Sequence, residues 1–156
     1  MKPKRRIPAL VFFVLSVLLI LLLTTQNSFR SGMLSNRILD QFYRFIRRSG
    51  LYKYKFIYLF FIDYSQIRKL AHIAEYFLLG ASAMLLFRKS EYAFLKAIGV
   101  CAAISFSDQF IKLFIPGREF DWTDLPYDAA GYLLGILLVL LILMIRAGRR
   151  QNEAQK

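Results

Sequence analysis

One histidine and one cysteine occur in the 156 residues, and that scarcity excludes a multi-His or multi-Cys zinc site built within a single chain. A lone Cys101 also excludes an intrachain disulfide; it lies inside an apolar segment and reads as a packing residue. Glycine-rich phosphate loops and soluble nucleotide-binding motifs are missing. Carboxylates Glu119, Asp121, Asp124 and Asp128 are near one another in sequence, yet no oxygen-ligand loop of recognised spacing frames them. Helix capping and solvation account for them as well as a calcium or magnesium ion does, so no metal and no cofactor is expected. Internal repeats and low-complexity tracts are also lacking. Acidic residues are few, 10 against 22 basic ones, which leaves a formal charge of +12.

What the chain has in quantity is apolar surface: 57% apolar and 16% aromatic residues, high for a soluble domain of this length. Lipid, rather than water, is the natural solvent for much of it. The basic excess suits either nucleic acid or an anionic bilayer surface. Lys and Arg flank the apolar runs instead of forming an exposed recognition helix, which favours the bilayer and disfavours nucleic acid.

The hydrocarbon core takes about 20 apolar residues at the 1.5 Å helical rise. Candidate spans run from Ile7 to Thr25, Lys69 to Phe87, Tyr92 to Phe114 and Tyr127 to Ile145. The expected fold is therefore all-α, a bundle of four transmembrane helices forming a single membrane domain over 1–156. Lys2, Lys4, Arg5 and Arg6 resemble the basic start of a signal peptide. The apolar run behind them is longer than usual for one and no small-x-small cleavage pattern follows, so an uncleaved anchor is expected. Basic flanks before the first span, at Arg88 and Lys89, and at Arg146, Arg149 and Arg150 place both termini in the cytoplasm of a cell whose inner membrane the chain spans. The long connection from Gln26 to Arg68 runs against this rule, since it is also rich in Arg and Lys yet would lie outside.

Within that connection Ile38, Phe42, Phe45 and Ile46 recur at helical spacing while Arg37, Arg44, Arg47 and Arg48 occupy other angles. A basic amphipathic helix on the membrane surface is one reading and a solvated charged face is the other. The run Phe56 to Ile62 is too short to cross before Asp63 and is expected to dip into the interface or pack on the bundle. Gln151 to Lys156 read as a frayed polar tail.

The polar residues inside the spans gather at one level. Lys69, His72 and Tyr76 form a stripe on the second span, with Glu75 on its flank and Gly80 continuing it. Asp108 stands about two turns before the third span ends, with Ser105 and Lys112 on its face. The fourth begins with Thr123-Asp124-Leu125-Pro126, an acidic first turn with an early proline. Asp124 and Asp128 are one turn apart, and Gly131 and Gly135 extend their stripe, permitting close approach of a neighbouring helix. Between the spans, Pro116-Gly117 enforces a turn that carries Arg118 over the cluster, and Trp122 suits the headgroup layer. Charges at membrane depth cost on the order of several kcal/mol unless partnered. Arg118 or Lys69 is expected to pair with Asp108 or Asp124, and Lys112 with Asp108 one turn away.

The run from Arg68 through Lys69, His72, Glu75 and Tyr76 to Gly80, then Ser107-Asp108, Pro116-Gly117-Arg118, and Asp124 with Asp128 and Gly131, resembles the VanZ-like family. That resemblance implies a small bacterial membrane protein of helical spans, related to one associated with resistance to the glycopeptide antibiotic teicoplanin. Where the family reads Asp-Glu-x-His-Gln before its Pro-Gly-Arg turn, this chain has Asp108-Gln109-Phe110-Ile111-Lys112.

Three function classes follow. In the first, the cluster recognises an anionic envelope component at the outer leaflet, a lipid phosphate or a cell-wall precursor, with Lys69, His72 and Arg118 as cations, Tyr76 among the contacts, and Asp108, Asp124 and Asp128 orienting them. In the second it is catalytic: His72 is a general base oriented by Glu75 or Asp108, and Arg118 stabilises developing charge. Ser105, Ser107 and Tyr76 are then equally ordinary nucleophile candidates. In the third the cluster only locks helices together. Intramembrane ionisable residues default to functional sites, so a ligand site is the preferred form and enzyme status stays open.

Overall fold

The computed structural model describes residues 7–25, 28–50 and 64–154. The basic residues at 2–6, the run Phe56 to Ile62 and the last two residues lie outside them. The described residues form helices and no strands: α1 (Ile7–Thr24), α2 (Ser28–Ser49), α3 (Tyr64–Phe87), α4 (Ala93–Lys112) and α5 (Asp124–Ala154). All but α2 contain a stretch long and apolar enough to cross a membrane. Leu15 and Leu22 on α1, Leu95 on α4, and Leu134, Leu141 and Met144 on α5 are exposed, an outer surface that hydrocarbon solvates and water would not.

The helix ends differ from the expected spans: α3 starts at Tyr64, five residues before Lys69, and α4 and α5 differ at both ends. Helix α5 starts at Asp124, three residues early, and runs on through Ala154, where a frayed tail from Gln151 was expected. From Arg146 onward the chain offers Ala, Arg, Gln and Glu with one glycine and no proline, so nothing breaks the helix. Helix α4 is shorter at both ends: Tyr92 caps it in the left-handed region at φ 56, and its last turn tightens through i→i+3 bonds as far as Ile115. The amphipathic helix is formed as expected, with Arg37, Arg44, Arg47 and Arg48 exposed and Ile46 buried where α2 meets α3.

The bundle is organised around α3, which touches every other helix. Nearly half of its span is buried, 44% against 17% for α1. Tyr76, Leu79, Ala83 and Met84 join Ala97 and Cys101 of α4, Ile136 and Val139 of α5, and Ile20 of α1 in the core. Helices α3 and α5 make the closest pair because glycine removes the side chains between them. A Cβ on Gly131 would lie 2.5 Å from the Ile73 carbonyl oxygen. One on Gly135 would strike the Phe77 carbonyl and Ala81, and one on Gly80 the backbone of Tyr132. The paired numbers rise together, Gly131 beside Ile73 and Gly135 beside Phe77, so the two helices run parallel, residue n of α3 meeting α5 between n + 52 (Gly80 and Tyr132) and n + 58. Stepping that register back one turn sets Lys69 beside Tyr127 and His72 near Asp128.

Candidate functional site

That register builds the site. The Lys69 ammonium lies 5.2 Å from the Tyr127 ring centroid, a cation–π contact. One turn deeper, His72 Nδ1 is 3.0 Å from Asp128 Oδ1 and His72 Nε2 is 3.4 Å from Asp124 Oδ2. The two α5 carboxylates, a turn apart, therefore face the two nitrogens of one imidazole. A neutral ring donates to one of them and a doubly protonated ring to both. Tyr76, one turn further on, stacks toward the ring at 6.5 Å between centroids.

Helix α4 supplies the rest from its buried face. Ser105 donates to Asp128 Oδ2 at 2.7 Å, completing the coordination of that carboxylate. Lys112 Nζ lies 3.0 Å from Asp124 Oδ2 and 3.3 Å from Asp108 Oδ2, so a buried ammonium bridges α4 to α5. Asp108 also receives the Thr24 hydroxyl from the last turn of α1. The result is a continuous chain, Thr24 to Asp108 to Lys112 to Asp124 to His72 to Asp128 to Ser105, joining all four spans at one end. Its closure is internal, which is how charge survives at membrane depth.

The turn after α4 follows from its residues. Pro116 and Gly117, the latter at φ 75, let the Arg118 N–H reach the Ile115 carbonyl at 3.0 Å, the pattern of a type II turn. Arg118 then reaches the Leu23 carbonyl of α1 at 3.5 Å. Asp121 accepts from the Thr123 N–H and hydroxyl and so shapes the entry to α5, leaving Asp124 to turn inward. Gln109 accepts from the Asp121 N–H at 3.3 Å and ties this loop to α4.

The expected site residues are thus gathered at one end, but their pairing differs from the sequence reading. The carboxylates on His72 are Asp124 and Asp128, neither Glu75 nor Asp108, because α5 and not the next turn of α3 faces the ring. Glu75 is half-buried on the flank of α3. Lys112 is the cation between Asp108 and Asp124, its pairing with Asp108 following from the i, i+4 spacing, whereas Lys69, expected to meet one of these acids, lies on the Tyr127 ring. Thr24 escaped notice because a threonine at the end of a leucine-rich span carries no local sign of its partner. Of the departures from the family pattern, Lys112 is a buried member of this network, Gln109 is buried and tied to the Asp121 N–H, and Ile111 is half-buried. The Tyr76 hydroxyl and the Gln109 side-chain N–H₂ are buried without a hydrogen-bond partner among the described residues. No group of three or more His, Cys, Asp and Glu side chains suited to a metal ion occurs among them either.

Apolar helices around a buried ionic network at one end define a multi-pass α-helical membrane protein. Its sequence matches the family model described as VanZ/LLP1 over residues 9–143, and the chain belongs to that family. No curated protein and no solved structure matches it.

Proposed function

We propose that this protein spans the bacterial cytoplasmic membrane with both termini inside, and that the polar end of its bundle recognises an anionic envelope component at the outer leaflet. The ligand class is a lipid phosphate or lipid-linked cell-wall precursor, and the physiological consequence is reduced susceptibility to teicoplanin-type glycopeptides. The observation that carries this reading is Lys69. It is half-buried, one turn from His72 on the same face of α3, and has no carboxylate within ion-pair distance among the described residues. A half-buried ammonium resting on an aromatic ring is a ready counter-ion for phosphate. Arg118 stands in the turn at the same end and adds a planar donor. The three buried aspartates repel an anion from the interior of the network, which keeps the ligand at the Lys69 and Arg118 margin.

Recognition is favoured over general-base catalysis because both nitrogens of His72 already face carboxylates and the Ser105 hydroxyl is committed to Asp128. Helix locking is a second reading, favoured by the internal neutralisation of Lys112 by Asp108 and Asp124. The two divide the cluster: Asp108, Lys112, Asp124, His72 and Asp128 hold helices together, while Lys69 and Arg118 meet the ligand. The test is equilibrium binding to protein in lipid nanodiscs, using isoprenoid phosphates and wall precursors as probes. Saturable binding that weakens on the order of tenfold or more in Lys69→Ala and Arg118→Ala is expected, as a charge-assisted hydrogen bond is worth that much. No saturable binding by the unaltered protein, or losses that only follow falling abundance of the variants, would refute it. Product formed during the assay would move the site to the enzyme class.

A further inference from the structure

No described side chain of helix α2 joins the polar network among the described residues, and its composition asks for a partner. At 100° per residue Ile38, Phe45 and Ile46 fall within an arc of about 100°, while Arg37, Arg44 and Arg48 fall within an arc of about 40° centred roughly 130° away. Ile46 is buried, but its neighbours on the apolar side are not: Ile38 is 47% exposed and Phe45 60%. The arginines are exposed, and no carboxylate forms an ion pair with them among the described residues. The helix is too polar to be among the candidate spans.

Its place is fixed by connectivity. It starts at Ser28, just after Thr24, whose hydroxyl meets Asp108 in the network. The chain it belongs to then returns to the same end of the bundle to begin α3. Helix α2 therefore begins at the polar end of the bundle and touches α3.

We infer that α2 is an interfacial anchor: Ile38 and Phe45 sit among the acyl chains at the polar end of the bundle, and Arg37, Arg44 and Arg48 bind the phosphates of anionic phospholipids in that leaflet. The charge complementarity selects the occupant. Exposed apolar groups beside unpaired arginines suit a surface that is greasy below and anionic above, which is a bilayer interface. This also removes the conflict that the basic connection posed for orientation, since arginines held by headgroups serve as ligands rather than as topology signals.

The full-length protein tests it, with Trp122→Phe removing the native tryptophan and Phe45→Trp, or separately Ile38→Trp, as the probe. Each variant is reconstituted in vesicles of phosphatidylcholine with phosphatidylglycerol, bromine being carried on the acyl chains of one lipid or the other. Folding is checked by the inaccessibility of Cys101, which is fully buried. The expected result is blue-shifted emission quenched by brominated lipid, at least about twofold more by brominated phosphatidylglycerol, with the preference lost at high salt. The preference should also vanish in Arg37→Gln/Arg44→Gln/Arg48→Gln. Water-like, unquenched emission from both probes would overturn the anchor and leave an acidic protein partner as the occupant. Equal quenching by both lipids would overturn the headgroup assignment. Neither outcome depends on Lys69, so the ligand site stands or falls separately.

Discussion

Replacing Gly131 with alanine changes no polar atom, yet the register argument makes it a test of the whole site. The added Cβ would stand 2.5 Å from the Ile73 carbonyl oxygen, whereas ordinary Cβ contacts begin near 3.4 Å, so the backbones must part by about 0.9 Å. Backbone cannot swing aside as a flexible side chain does, and overpacking of this kind costs roughly 1–3 kcal/mol. The same parting, carried one turn along, stretches the 3.0 Å contact of His72 with Asp128 to about 3.9 Å, beyond hydrogen-bond range. Gly99→Ala is the matched control: nothing lies within 4 Å of the new methyl, and helix propensity favours alanine by up to about 1 kcal/mol. Cys101, the sole cysteine and fully buried, supplies the assay, since a thiol-reactive fluorogenic dye reports unfolding in detergent or nanodiscs as the core opens. Gly131→Ala should unfold several degrees lower than the unaltered protein, at about 2–4 °C per kcal/mol, and Gly99→Ala at the same temperature or higher. Coincident melting of the two alanine variants would refute the close packing of α3 on α5 and with it the placement of His72.

Further outcomes follow from individual contacts. Lys112→Met strands Asp108 and Asp124 as buried charges without their bridging cation and should cost about 3–5 kcal/mol, read as a lower Cys101 melt; adding Asp108→Asn should recover part of the loss. Ser105→Ala removes one donor from buried Asp128 and should cost about 1–3 kcal/mol, while Ser107→Ala, whose side chain is exposed and bonds its own helix, should change stability by less than about 0.5 kcal/mol. Lys69→Ala and Arg118→Ala should raise glycopeptide susceptibility in cells at unchanged membrane levels; immunoblots showing abundance falling in step with resistance would reduce these residues to structural ones.

Much of this arrangement was legible in the chain because hydropathy and helical spacing are local. The apolar runs announced the four spans, the polar residues counted along them came out at one level, and the stripe from Asp124 to Gly135 marked the face of α5 that meets a neighbour. Even the Lys112 to Asp108 pair could be read, since i, i+4 neighbours on one helix touch whatever surrounds them. Illegible were the contacts between helices. His72 had two acidic candidates, Glu75 on its own flank and Asp108 on α4, whereas the ring turns to Asp124 and Asp128 of α5. Lys69 was expected to pair with a buried acid because charge at membrane depth is costly alone, yet it rests on the Tyr127 ring; the ammonium shared by Asp108 and Asp124 is that of Lys112, whose stem lies wholly within the bundle.

The sequence by itself determined how many times the chain can cross a membrane and which turns of those crossings carry charge, because transfer into hydrocarbon is priced residue by residue. Beyond the Lys112 to Asp108 pair within one helix, tertiary structure decided which charge answers which. Missing side chains at Gly80, Gly131 and Gly135 let two backbones close to contact and fixed both the direction and the register of α3 against α5. From that register, and not from any spacing along the chain, His72 acquired Asp128, Lys69 acquired Tyr127, and α1 was drawn in through Thr24 to close the network.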